Sequence, residues 1–154
     1  MLTVRFIHFL GSALWIGGAA AAILLAVNVR RESPVVQAVV YRLLTQVHTL
    51  VVGLGALLTL GTGIVWTMLL VQNGAAENTV PSIGVWIMQG AGLIGGALVL
   101  LVGVPTAVKL GGIAVPTDDG RLLPAVDRYS RRLVLISYVA GVLALLSLFT
   151  GVVL

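Results

Sequence analysis

The chain has 154 residues, 59% hydrophobic and only 9% charged, with a formal net charge of +4 and a mean hydropathy of +1.13. A soluble domain carries about 25% charged residues, so this composition cannot cover a water-facing surface. The absence of cysteine excludes disulfides, thiolate metal sites, thiol catalysis and covalent c-type haem attachment.

Apolar stretches of about 20 residues, the length of a membrane-crossing helix, recur along the chain. Segments of about ten alternating residues, which would suggest a barrel, do not. The expected fold is all-α: one integral membrane domain over residues 1–154, with spans near 2–27, 47–71, 82–109 and 133–154.

The first span contains RFIHFLGSALWIGGAAAA, from Arg5 to Ala22. Helical spacing sets Gly11, Ser12, Trp15, Ala19 and Ala22 on the face of His8. Such small side chains suit a flat cofactor, a metal or a closely approaching helix. Ser33 and Pro34 then read as the N-cap and first residue of a second helix. Running to Gln72, this helix would measure roughly 57 Å against a hydrocarbon core of about 30 Å. Its first part, residues 35–46, is therefore expected to protrude from or lie at one surface, with Tyr41 and Arg42 at the interface. Gly53, Gly55, Gly61 and Gly63 would permit tight contacts along its spanning part.

A polar loop follows from Gln72 to Val80, and Pro81 and Ser82 open the third span. That span carries Gly92-x-x-x-Gly96, and Pro105 should kink it or loosen its last turns. Turn chemistry fills residues 110–123. Pro124 begins a polar helical segment, with an i,i+4 pair of Asp127 and Arg131, that leads into the last span. There Ala140, Ala144, Ser147 and Gly151 form a small-residue stripe suited to helix contact.

Basic residues define the expected orientation. Arg30, Arg31 and Arg42 flank the first connection, residues 28–46. Lys109, Arg121, Arg128, Arg131 and Arg132 flank the third, residues 110–132. Only Arg5 lies at the other end. The positive-inside rule then sets both termini on the non-cytoplasmic side. The same residues explain the pI of about 10.4, leaving no support for nucleic-acid binding.

A titratable group inside a membrane helix is a functional-site hypothesis by default. His8, about two turns in from the outer face, is a candidate ligand to b-type haem or copper; the ordinary alternative is an imidazole bonded to a neighbouring helix. At similar depth the sequence sets Trp66, Met68, Trp86, Met88 and Gln89. Thioethers select Cu(I) and can ligate haem iron, although a membrane methionine is more often packing. Gln89 is a weaker donor candidate. His48 belongs to another level, near the cytoplasmic end and close in depth to Val27, Pro105 and Tyr138, where it is a ligand or proton-carrier candidate or simply snorkels. Its face continues through Val52, Gly55, Thr59, Thr62 and Trp66. Roughly 15–25 Å separates the two imidazole levels, so they are not expected to share one iron. Arg128, Arg131 and Arg132 could hold lipid headgroups or haem propionates.

His8, Trp15, Gly17 and Gly18, with Tyr41-Arg42-Leu43, Gly61-x-Gly63 and Trp86, resemble a bacterial superfamily of small membrane proteins. It includes the copper-resistance D proteins and the HemJ-type protoporphyrinogen oxidases. The resemblance implies a helical bundle with haem b or copper as cofactor; Gly11 and Trp15, which helical spacing sets on the His8 face, would lie beside that ligand. It departs where Gln89 stands in place of the HemJ-type lysine. Residues 126–132 also do not reproduce the Arg-, Asn- and Glu-containing stretch of those enzymes. The implication is therefore the bundle and its cofactor class rather than oxidation of protoporphyrinogen.

The leading expectation is a haem b-binding redox protein of the bacterial inner membrane, an oxidoreductase-type protein at most. Its partners would be the bilayer and either further copies or a larger membrane complex. Copper handling through His8, His48, Met68 and Met88 is the alternative, and a cofactor-free accessory subunit the third.

Overall fold

The structure, a computed structural model, describes residues 2–72 and 83–153. Past Gln72, the expected polar loop and the Pro81–Ser82 helix start lie outside the described residues. Among the described residues there are six α-helical stretches: α1 (Leu2–Asn28), α2 (Pro34–Gln46), α3 (Leu54–Gln72), α4 (Ile83–Leu98), α5 (Val104–Ile113) and α6 (Pro124–Val153). Because α2 runs into α3, and α4 into α5, they make four helices long and apolar enough to cross a membrane. The fold is thus an all-α four-helix membrane bundle.

The two joints are π-helical, at Val47–Gly53 and Val99–Gly103. The second has a covalent cause. Pro105 has no N–H to give the carbonyl four residues earlier, and the wider turns absorb the mismatch just before it. At the first joint Thr49 Oγ1 bonds the carbonyls of Thr45 (2.8 Å) and Gln46 (3.3 Å), competing with the ladder at its entry. The kink expected at Pro105 is therefore a π segment. Its counterpart in α2–α3 has no such marker.

Glycine sets how closely the helices meet. A methyl group on Gly55 would lie 2.5 Å from Trp15 N and 2.8 Å from Gly11 O, so α1 and α3 touch backbone to backbone. Gly18 receives Val52 in the same antiparallel seam. On the other side of the bundle, Gly92 faces Ser147, whose hydroxyl donates to Met88 O at 2.8 Å. The small-residue stripe of α6 is thus a helix contact, as its spacing suggests.

At the basic end residues 35–46 pack on the bundle: Ala38, Tyr41 and Leu44 are buried, and Thr45 Oγ1 donates to Ala107 O of α5 at 2.7 Å. Tyr41, expected at the interface, is only 2% exposed, in a cluster with Leu44, Leu110, Val126 and Leu133. Its side of α2 faces the bundle, whereas Arg42, one residue on, is exposed. Pro34 does open α2, but Ser33 makes no side-chain cap bond. Asp127 and Arg131 pair at 2.9 Å.

Candidate functional site

The structure assigns the two histidines to different environments. His8 lies near the start of α1, half-buried, against the far end of α3. Its Nδ1 is 3.0 Å from Thr62 Oγ1. The Thr62 hydroxyl has a single hydrogen, and it is directed to Leu58 O at 2.6 Å. With that hydrogen on Leu58 O, the shortest of its contacts, Thr62 is an acceptor and the Nδ1–H tautomer of His8 completes the pair. Nε2 is left with its lone pair, the form in which imidazole ligates metals. The ring meets Trp66 edge-on at 6.4 Å and Phe9 at 6.2 Å. Gly63 keeps the strip beside it shallow: a methyl group there would lie 3.6 Å from Cε1. Arg5 stacks 4.6 Å over the Trp66 ring, anchoring that indole from the helix end. Below His8, Ser12 Oγ donates to its carbonyl at 2.9 Å, and Thr59 Oγ1 lies 3.4 Å from Ser12.

His48 is completely buried, and neither ring nitrogen has a hydrogen-bond partner. The snorkelling geometry is therefore not what the structure shows. The first π segment turns the ring onto the second: a methyl group on Gly103 would lie 2.6 Å from Nε2 and 3.2 Å from Ile136 Cγ2. Nε2 thus fills the space that a side chain on Gly103 would take. Ser137 and Ser130, on one face of α6, are buried with unpartnered hydroxyls, as is the Trp15 indole N–H. Tyr138, expected at the level of His48, is 61% exposed and points away.

The other candidates disperse. The seam closes Gly11 against Thr59. Trp15 is buried with its ring edge on Gly95, where a methyl group would lie 3.1 Å from the indole. The small-residue face of α1 is thus filled by the chain's own helices. Met68 and Trp86 point outward, and Met88 sulfur sits where a methyl on Gly151 would be, 2.8 Å away. Gln89 donates to Thr67 Oγ1 at 3.3 Å. Among the described residues no three His, Cys, Asp or Glu side chains gather as a metal site. The outer layer assembled from depth alone reduces to His8 with Trp66, because depth ignores rotation about the helix axis.

The sequence reading misses Gly103, Ser130 and Ser137. The two serines are seven residues apart, a same-face spacing, and Gly103 stands two residues before Pro105; these were the available signals. Thr62 and Trp66 were read on the His48 face. They cradle His8 instead, beyond the π segment that separates them from His48.

Comparison with protein-family profiles, curated proteins and solved structures finds no match to this chain.

Proposed function

We propose that the chain is a haem b-binding redox protein of the bacterial inner membrane, with His8 as the ligand it contributes. It would pass electrons or serve as a subunit of a larger respiratory or photosynthetic assembly. The observation that carries this reading is the 3.0 Å contact of His8 Nδ1 with Thr62 Oγ1, which, with the Thr62 hydrogen on Leu58 O, would leave Nε2 free to ligate. A hydrogen bond on the far ring nitrogen is the usual orienting device of metal-bound histidine.

The residues fit a group lying on the lateral face of the bundle, and do not fit one enclosed within it. The α1–α3 seam admits no ring between its backbones, and His48 is wholly buried, its Nε2 filling the space a side chain on Gly103 would take. His8, by contrast, is reachable from the side. Phe9 and Trp66 would wall the group there, and Gly63 would leave it room. When bound, haem supplies the one-electron chemistry. Thr62 holds the ligand's proton at Nδ1, and the apolar surroundings exclude water. Cover on the far side would come from lipid or a second polypeptide, consistent with an oligomer or a host complex. The positive-inside distribution supports both termini lying outside, which puts His8 in the outer leaflet.

Haem extraction and metal analysis of the purified protein test this reading. Haem in fixed proportion to protein is expected. Copper in its place would instead point to Cu(I) handling through His8 and thioethers of neighbouring chains. Neither group in a fully inserted protein would identify a structural subunit.

A further inference from the structure

We propose that the basic end of the bundle holds a binding site for the phosphate headgroup of an anionic phospholipid. A cleft of about 390 Å³ opens between the end of α1, the start of α2 and the start of α6. That volume falls within the roughly 300–1,000 Å³ of small-molecule sites. Arg30, Arg121 and Arg131 reach it from three separate segments, and Asp127 is the one carboxylate lining it. Because Arg131 Nε already holds Asp127, the terminal nitrogens of its planar fork remain as donors. Three guanidinium groups against one carboxylate leave the cleft with a formal excess of positive charge.

The residue choice matters beyond total charge. The sequence pointed to Arg128, Arg131 and Arg132 as a headgroup cluster. The helix face divides them: only Arg131 lines the cleft, and its companions come from elsewhere in the chain. Guanidinium forks suit phosphate oxygens by geometry as well as charge. The helix starts at Pro34 and Pro124 also border the cleft, adding the positive ends of two helix dipoles.

The rest of the lining selects a lipid over a free anion. Tyr41, Leu122, Leu123 and Val126 give the cleft an apolar wall. Exposed Val35 and Leu123 continue apolar surface from it. A ligand with a phosphate and an attached apolar body satisfies both halves, as basic pockets at the ends of membrane helices do for anionic headgroups. This inference does not depend on the haem reading.

Native mass spectrometry of the full chain in neutral detergent tests it, with phosphatidylglycerol, phosphatidylcholine and inorganic phosphate offered separately. Wild type should retain phosphatidylglycerol in preference to the other two. The double substitution Arg30→Gln with Arg121→Gln should weaken retention by about thirtyfold, on the scale of two interfacial arginines. Arg128→Gln with Arg132→Gln, which removes the same charge outside the cleft, should leave it within about threefold of wild type. Arg121→Gln alone, in the connecting segment, should show a smaller loss and guards against misfolding of the double variant. Equal losses in the cleft and control variants would overturn the proposal in favour of diffuse attraction. Retention of phosphate without preference for the lipid would overturn the lipid assignment.

Discussion

The two imidazoles show how one residue type acquires opposite characters from its neighbours. His8 has one nitrogen bonded and one open, at a place reachable from the side of the bundle. His48 has both nitrogens buried and unpartnered. ¹⁵N NMR of histidine-labelled protein reads both directly, since the chain has only two histidines. For the metal-free protein, His8 should report the Nδ1–H tautomer. Thr62→Val, which removes the acceptor, should abolish that preference; an Nε2–H tautomer in wild type would contradict the geometry. At His48 the expectation concerns stability. An unpartnered buried polar group carries its full desolvation cost, so His48→Leu, similar in volume, should change unfolding free energy by less than about 1 kcal/mol or stabilise. A loss above about 3 kcal/mol would show that His48 has a partner holding it.

At the level of elements, close backbone contact holds the bundle together, and the glycines carry it unevenly. Gly55→Ala would drive a methyl into Trp15 N and Gly11 O, atoms with no freedom to move aside. It should cost about 1–3 kcal/mol, read by denaturant unfolding in detergent. Gly17→Ala and Gly61→Ala meet nothing within 4 Å and should be neutral or slightly stabilising. The π joints make a coupled pair of the same kind. Gly103→Ala should destabilise in wild type and be relieved in a His48→Ala background, because the methyl then occupies the space vacated by the imidazole; additive effects would mean the joints do not meet as described. The spans, the small-residue stripe of α6 and the α1 face were legible in the sequence because hydropathy and small-residue spacing are one-dimensional signals. The rotation of His48 toward Gly103 was not, since a π segment changes helical phase without a residue type that announces it. The burial of Tyr41 was not legible either, because an aromatic beside an arginine does not say which side of its helix is packed.

For the whole molecule, the architecture follows from composition, while orientation and cofactor are separate propositions. The lack of cysteine makes orientation simple to measure with single-cysteine variants and an impermeant thiol reagent in intact cells. Thr3→Cys should label from outside and Asp119→Cys only after permeabilisation; the reverse pattern would place His8 in the other leaflet. The cofactor proposition rests on one open nitrogen and one orienting hydroxyl. The reduced-minus-oxidised absorption spectrum of purified protein tests it most directly, comparing wild type with His8→Ala and His48→Leu. The haem reading predicts a Soret band and a reduced α-band in wild type and His48→Leu, and their loss in an inserted His8→Ala protein. An unchanged spectrum in His8→Ala, or no haem bands in inserted wild type, would contradict it.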